Sequence, residues 1–168
     1  MGIFNYVFHG PCGGWGGNAH NPWLIPEDGV LTGFEVFSGD YINKIELFYT
    51  SPSVAPNGAS QIYGGSDTGK SPGRVTLSTS PAEYVTEVGG KYDHDPGGST
   101  GKVFLLQITT NRNAYKFGND VSGWTSFAVP VPAPPSGGLA GLWGDAGNEC
   151  DTVGVVTRFL KDPTARLL

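Results

Sequence analysis

The sequence predicts an all-β domain built from three similar units, and three observations lead there. Segments rich in β-branched and aromatic residues recur along the whole chain, and none carries a convincing helical pattern. The 168 residues include 27 Gly and 13 Pro, yet 12% are aromatic and 38% apolar. Glycine at that density beside a full set of core formers serves turns rather than a disordered tract. A glycine-led pattern also recurs three times, each time next to an apolar strand.

The strands follow in order. Ile3–Phe8, Gly33–Phe37, Ile42–Thr50, Ser60–Tyr63, Arg74–Ser78 and Tyr84–Val88 make up the first half. Val103–Thr110, Ala114–Phe117, Thr125–Val129, Leu139–Trp143 and Val153–Leu160 make up the second. Each alternates in character and is bounded by Gly, Pro, Asn or Asp. Ile45–Tyr49 and Val103–Ile108 read as central strands. Pro130–Pro135 with Ser136-Gly137-Gly138 reads as a long surface loop, because too little chain follows it for another domain. Eleven or twelve short strands at this spacing fit a sandwich, barrel or prism within one domain spanning residues 1–168.

The recurring pattern is Gly39-Asp40-Tyr41-Ile42-Asn43, Gly89-Gly90-Lys91-Tyr92-Asp93 and Gly147-Asn148-Glu149-Cys150-Asp151. Spacings of 50 and 58 residues imply units of roughly four strands each. G-x-x-x-D alone is weak, since chance supplies about one or two copies at this composition. Its place in the repeat gives it weight, together with the second glycine loop, Gly10-Pro11-Cys12-Gly13-Gly14-Trp15-Gly16-Gly17. Glycine loops can aim several N–H donors at one point, and Asp151 would add a charged acceptor. Such a cradle suits a ligand with adjacent hydroxyls, which both donate and accept. The competing role for Asp151 is a simple turn cap.

The net charge of −5 argues against a nucleic-acid partner, which needs clustered positive charge. No apolar run approaches a membrane span. The first residues lack the basic flank and apolar core of a signal peptide, and Tyr6 stands where myristoylation wants Ser or Thr. The expected location is cytoplasmic, or outside without a recognisable signal peptide. His9, His20 and His94 show no metal-ligand spacing, so no metal or cofactor is expected. Cys12 and Cys150 are read either as reduced thiols or as a bridge between the two loops. Glu149 and Asp151 could stand close enough for glycoside hydrolysis, but a short exposed loop desolvates them poorly, so no enzyme is expected. Trp124, Phe127 and Trp143 read as packing aromatics.

The chain resembles the jacalin-related lectins, in particular their mannose-binding single-chain type. Gly10–Gly17 is similar to the family's opening G-P-W-G-G-x-G-G, with Cys12 in place of Trp. Val36–Asp40 and Tyr63-Gly64-Gly65-Ser66 resemble two further segments. Thr109-Thr110-Asn111 with Ala114–Gly118 is similar to T-N-K-x-x-Y-G-P-F-G, and Gly144–Gly154 to G-R-x-G-x-x-x-D-A-I-G. The resemblance implies a β-prism I fold: three four-stranded Greek-key sheets around a pseudo-threefold axis.

It also implies a carbohydrate site between the first glycine loop and the loop Gly147, Asn148, Glu149, Cys150, Asp151. There Gly17, Asn148 and Glu149 would give backbone N–H groups, and the Asp151 carboxylate would accept from two hydroxyls. A possible second carbohydrate site would use Gly39, Asp40, Tyr41, Asn43, Gly64 and Gly65, with Asn43 where the motif has Asp. A sugar-stacking ring would come from Trp15, Trp23, Tyr41 or Tyr92. The implied partners are mannose- or glucose-containing glycans and glycoproteins, bound by an agglutinin that works as a homo-oligomer. The alternative is a protein-interaction or recognition module of a larger defence or toxin protein.

Overall fold

The computed structural model describes residues 2–14, 16–65, 69–93 and 101–162. Trp15, Ser66 and His94 therefore lie outside the described residues. Twelve strands form three antiparallel sheets of four, and no helix occurs among the described residues. The first sheet runs β1 (Phe4–Gly13), β12 (Thr152–Leu160), β11 (Gly137–Ala146), β2 (Asn18–His20). The second runs β10 (Thr125–Pro130), β7 (Val85–Tyr92), β8 (Val103–Thr110), β9 (Ala114–Gly118). The third runs β5 (Ala55–Gly64), β4 (Ile42–Ser51), β3 (Val30–Ser38), β6 (Val75–Thr76).

Each sheet has the same plan, the fourth strand of a unit returning beside the first, which is a Greek key. The first sheet keeps that plan by drawing β11 and β12 from the end of the chain and β1 and β2 from its start. The two glycine loops far apart in sequence are therefore neighbours in one sheet.

Alternation builds the core. In β4 the side chains of Ile45, Leu47 and Tyr49 are buried while Glu46, Phe48 and Thr50 are only half-buried, as period-2 patterning requires. Phe34, Val36 and Ile45 of the third sheet meet Val88, Leu106 and Ile108 of the second and Val153 and Val155 of the first in one cluster. Phe34 makes edge-to-face contacts with Tyr115 and Phe117, joining the third and second sheets. Tyr63 Oη donates to the Thr152 carbonyl at 2.6 Å, joining the third and first. Phe127 packs against the same core, Trp124 stacks on Phe104, and Trp143 donates from Nε1 to the His9 carbonyl. These three are packing aromatics.

The turns between β3 and β4 and between β11 and β12 gather at one end of the prism, beside the end of β7 and the start of β8. Cys150 N–H donates to the Ile42 carbonyl at 2.8 Å, and Val103 N–H to the Cys150 carbonyl at 3.1 Å, so backbone bonds tie all three together.

One sequence expectation is corrected here. Gly89-Gly90-Lys91-Tyr92 is not a loop but the second half of β7, where Gly90 pairs with Leu106 and Phe127. Neighbouring backbone fills the space there, and a Cβ on Gly89 would stand 2.7 Å from the Phe127 carbonyl oxygen. The three-unit plan holds, but the middle unit's turn starts at Asp93, whose N–H donates to the Lys102 carbonyl. The strand β2 also carries no sequence signal: three mixed residues become a strand only because β11 offers an edge to them.

Candidate functional site

The loop after β1 is held against the turn between β11 and β12 by its flanking strands, since β1 pairs with β12 and β2 with β11. Gly14 N–H donates to the Asp151 carbonyl at 3.1 Å. Gly17 has φ +66°, and a Cβ there would stand 2.5 Å from Asp151 Oδ2 and 2.6 Å from the Ala146 carbonyl carbon. At Gly16 a Cβ would stand 3.0 Å from Asp151 Oδ1. Only glycine lets this backbone lie so close to the carboxylate. The result is a small notch with glycine backbone on one side and the turn on the other.

The turn closes on itself, with Gly147 N–H donating to the Glu149 carbonyl at 3.0 Å. Asn148 is exposed, and Gly147 and Glu149 are half-buried. Asp151 was expected on an exposed loop, but its residue exposure is 6%. The glycine loop covers it from one side and Lys102 approaches from another. Lys102 pairs with Glu149, its Nζ stands 3.9 Å from Asp151 Oδ1, and it lies 5.1 Å from the centre of the Tyr41 ring. Burial raises the Asp151 carboxyl above its ordinary range, Lys102 pulls it back, and Asp145 adds to the rise.

Lys102 is the residue sequence reasoning missed. It comes from the second sheet's edge of the gathering, just ahead of β8, and no spacing in the chain links it to Glu149 or Asp151. Lys102→Met should move the Asp151 carboxyl titration to higher pH, because the nearby cation that favours the ionised form among the described residues is lost. Carboxyl-carbon NMR across an acid titration reads this directly.

Cys150 is fully buried, with its thiol aimed at the Asn43 carbonyl at 3.7 Å and packed by Gly64. Burial pushes its pKa well above the ordinary thiol value. Cys150 thus anchors the turn by thiol and backbone rather than facing solvent. Cys12 sits half-buried in β1 opposite Val153, and both cysteines are free thiols.

The second candidate set is partly assembled. Gly39 N–H donates to the Tyr41 carbonyl at 3.0 Å in a tight turn, and Gly65 N–H to the Asn43 carbonyl at 3.4 Å. Gly64 and Gly65 flank Asn43, which is 7% exposed at the start of β4. Asp40 is exposed, and its carbonyl accepts from Asn119 Nδ2. The Tyr41 ring leaves this group and packs edge-on against Phe104, below Lys102. Gly65 backbone also lies against the Gly147 carbonyl, so the two candidate sites abut. Of the other rings considered for stacking, Trp23 packs on Tyr49 and Tyr92 on Phe127.

Among the described residues no group of three or more His, Cys, Asp or Glu could hold a metal ion, and no helix is long and apolar enough to cross a membrane.

Three Greek-key sheets around one axis, with a glycine loop and an acid-tipped turn meeting at one end, define a β-prism protein of the lectin class. The jacalin-like lectin domain model matches residues 9–156, and the chain belongs to that family. Among solved structures, wild-type Malaysian banana lectin is 25% identical, with 91% of this chain and 98% of that one covered and a TM-score of 0.71. A mannose-binding jacalin-related lectin from Ananas comosus is 23% identical over 90% and 96%, TM-score 0.65. Artocarpin, solved with mannotriose, is 21% identical over 90% and 96%, TM-score 0.70. No curated protein sequence gives a match. Carbohydrate binding without catalysis is the class of activity that family membership brings.

Proposed function

We propose that the chain binds mannose- or glucose-type glycans in the notch, with Asp151 accepting from two adjacent hydroxyls and Gly17, Asn148 and Glu149 giving backbone N–H groups. The observation that supports this most is the placement of the Asp151 carboxylate directly against Gly16 and Gly17. A vicinal diol needs a fixed double acceptor beside fixed donors, and neither a metal nor a proton transfer is involved. The relatives that carry mannose in their names or complexes support the same sugar class. Charge-assisted bonds contribute about 1.5–3 kcal/mol each before desolvation, so one exposed monosaccharide site is expected near millimolar, about −4 kcal/mol.

The abutting group at Gly39, Asp40, Asn43, Gly64 and Gly65 is the proposed second site, weaker because Asn43 lacks the charge. Avidity would come from a homo-oligomer. Exposed Ile3 (51%) just ahead of β1, Val7 in β1 and Phe159 in β12 support such an assembly.

Isothermal titration with methyl α-mannoside, methyl α-glucoside and methyl α-galactoside tests the reading. Saturable heat for the first two and none for the third is expected. Glycoprotein capture insensitive to all free sugars would favour a protein-interaction module instead.

A further inference from the structure

A single asparagine in the chain precedes a glycine: Asn57, followed by Gly58. The pair lies near the start of β5, an outer strand of the third sheet. β4 leaves the notch end at Ile42 and turns into β5 after Ser51, so the pair stands at the opposite end of that sheet. Ser51 pairs with Ala55 and Tyr49 with Ala59, which leaves Pro56, Asn57 and Gly58 across from Thr50 alone. Such a bulge interrupts the ladder locally. Asn57 and Gly58 are both exposed. Gly58 has φ +95°, and a Cβ there would meet only the Tyr49 carbonyl oxygen, at 3.7 Å. The bulge thus takes a backbone conformation suited to glycine, with open space around it.

An asparagine side chain is open to attack by the main-chain nitrogen of the next residue. A Cβ on that residue crowds the approach, and glycine has none. The Gly58 nitrogen bonds to Asn57 Cγ while the Cγ–Nδ2 bond breaks. Ammonia leaves with the Gly58 amide proton, and a five-membered succinimide remains. Water then opens the ring at either carbonyl. Breaking the bond from nitrogen to Cγ gives aspartate; breaking the bond to the main-chain carbonyl carbon gives isoaspartate, with the chain running through Cγ. The net change is amide plus water to acid plus ammonia, with nothing oxidised or reduced. The backbone has to swing for the nitrogen to reach Cγ, which a paired central strand resists and a bulge on an outer strand permits. Elsewhere the amides of Asn111, Asn113 and Asn119 are held by donating to the Ala82 carbonyl, Tyr115 Oη and the Asp40 carbonyl. Those three are followed by Arg, Ala and Asp.

We propose that Asn57 is a modification site of the folded chain, deamidating spontaneously through a succinimide with Gly58 to aspartate and isoaspartate. The isoaspartate form is a substrate for carboxyl methyltransferases that recognise that residue. The site uses no residue of the notch, so it stands apart from the glycan reading.

Prolonged incubation of the full chain in warm, mildly alkaline buffer should add a more acidic band on isoelectric focusing. Trypsin releases residues 45–70 as one peptide, whose sole asparagine is Asn57. That peptide should carry most of the mass change from amide to acid. Methyl transfer from S-adenosylmethionine by an isoaspartate methyltransferase should label the same peptide. Asn57→Gln has to close a larger ring, so the charge change should slow at least about tenfold, with the thermal midpoint as in the parent because the position is exposed. The folded chain should convert within about tenfold of its rate in urea, since the bulge leaves the backbone free to move. An acidic form arising in other peptides, an unchanged rate in Asn57→Gln, conversion in urea alone, or no conversion at all would overturn the proposal.

Discussion

Asp151→Asn should abolish monosaccharide binding and leave the fold at least as stable as the parent near neutral pH. The carboxylate is the proposed acceptor of two hydroxyl bonds at about 1.5–3 kcal/mol each. Losing the charge should cost more than a hundredfold in affinity, which puts a millimolar site beyond titration. The stability effect has the opposite sign. Burial holds the Asp151 carboxyl above its ordinary range, with Lys102 offsetting part of the rise. A group raised on folding contributes fully below its unfolded pKa, and that contribution disappears as pH climbs through the folded value. At neutral pH the buried charge therefore burdens the fold, and a neutral amide relieves it. The thermal midpoint should stay level or rise, at about 2–4 °C for each kcal/mol, and the gain should vanish in acid. Calorimetric scans at neutral and acid pH beside a mannoside titration separate the two effects.

Gly17→Ala should damage both binding and fold. The residue sits at φ +66°, where a side chain costs about 1–2 kcal/mol. Its Cβ would also stand 2.5 Å from Asp151 Oδ2 and 2.6 Å from the Ala146 carbonyl carbon. Either the loop lifts or the carboxylate swings away, and both open the notch. A midpoint lower by at least about 3 °C is expected, with no measurable sugar heat. Gly147→Ala provides the control: a Cβ there meets only the Gly17 Cα, at 3.8 Å, so the fold should persist. Equal stability of Gly17→Ala and Gly147→Ala would show that the close approach does not matter.

The architecture was legible because alternation and turn residues mark strands such as Ile42–Ser51 and Val103–Thr110 locally. Three such units announce three sheets. The neighbourhood of the two glycine loops was legible too, through the spacing of the repeat and the family resemblance. The rest depended on contacts that no local pattern records. Asn18–His20 becomes a strand by pairing with Gly144–Ala146. Gly89 and Gly90 resemble a turn in sequence but pack as strand beneath Phe127. The burial of Asp151 is set by Gly14, Gly16 and Gly17 lying against it and by Lys102 arriving from another sheet. Cys150 looked like a loop residue yet points into the core, because Asn43 and Gly64 leave room for its sulfur there.

Amide NMR of the full chain during titration with methyl α-mannoside tests the central claim most directly. Concerted shifts of Gly17, Asn148, Glu149 and Asp151 at one saturation midpoint are the expected result. Shifts confined to other regions, with these four amides unmoved at saturation, would contradict it.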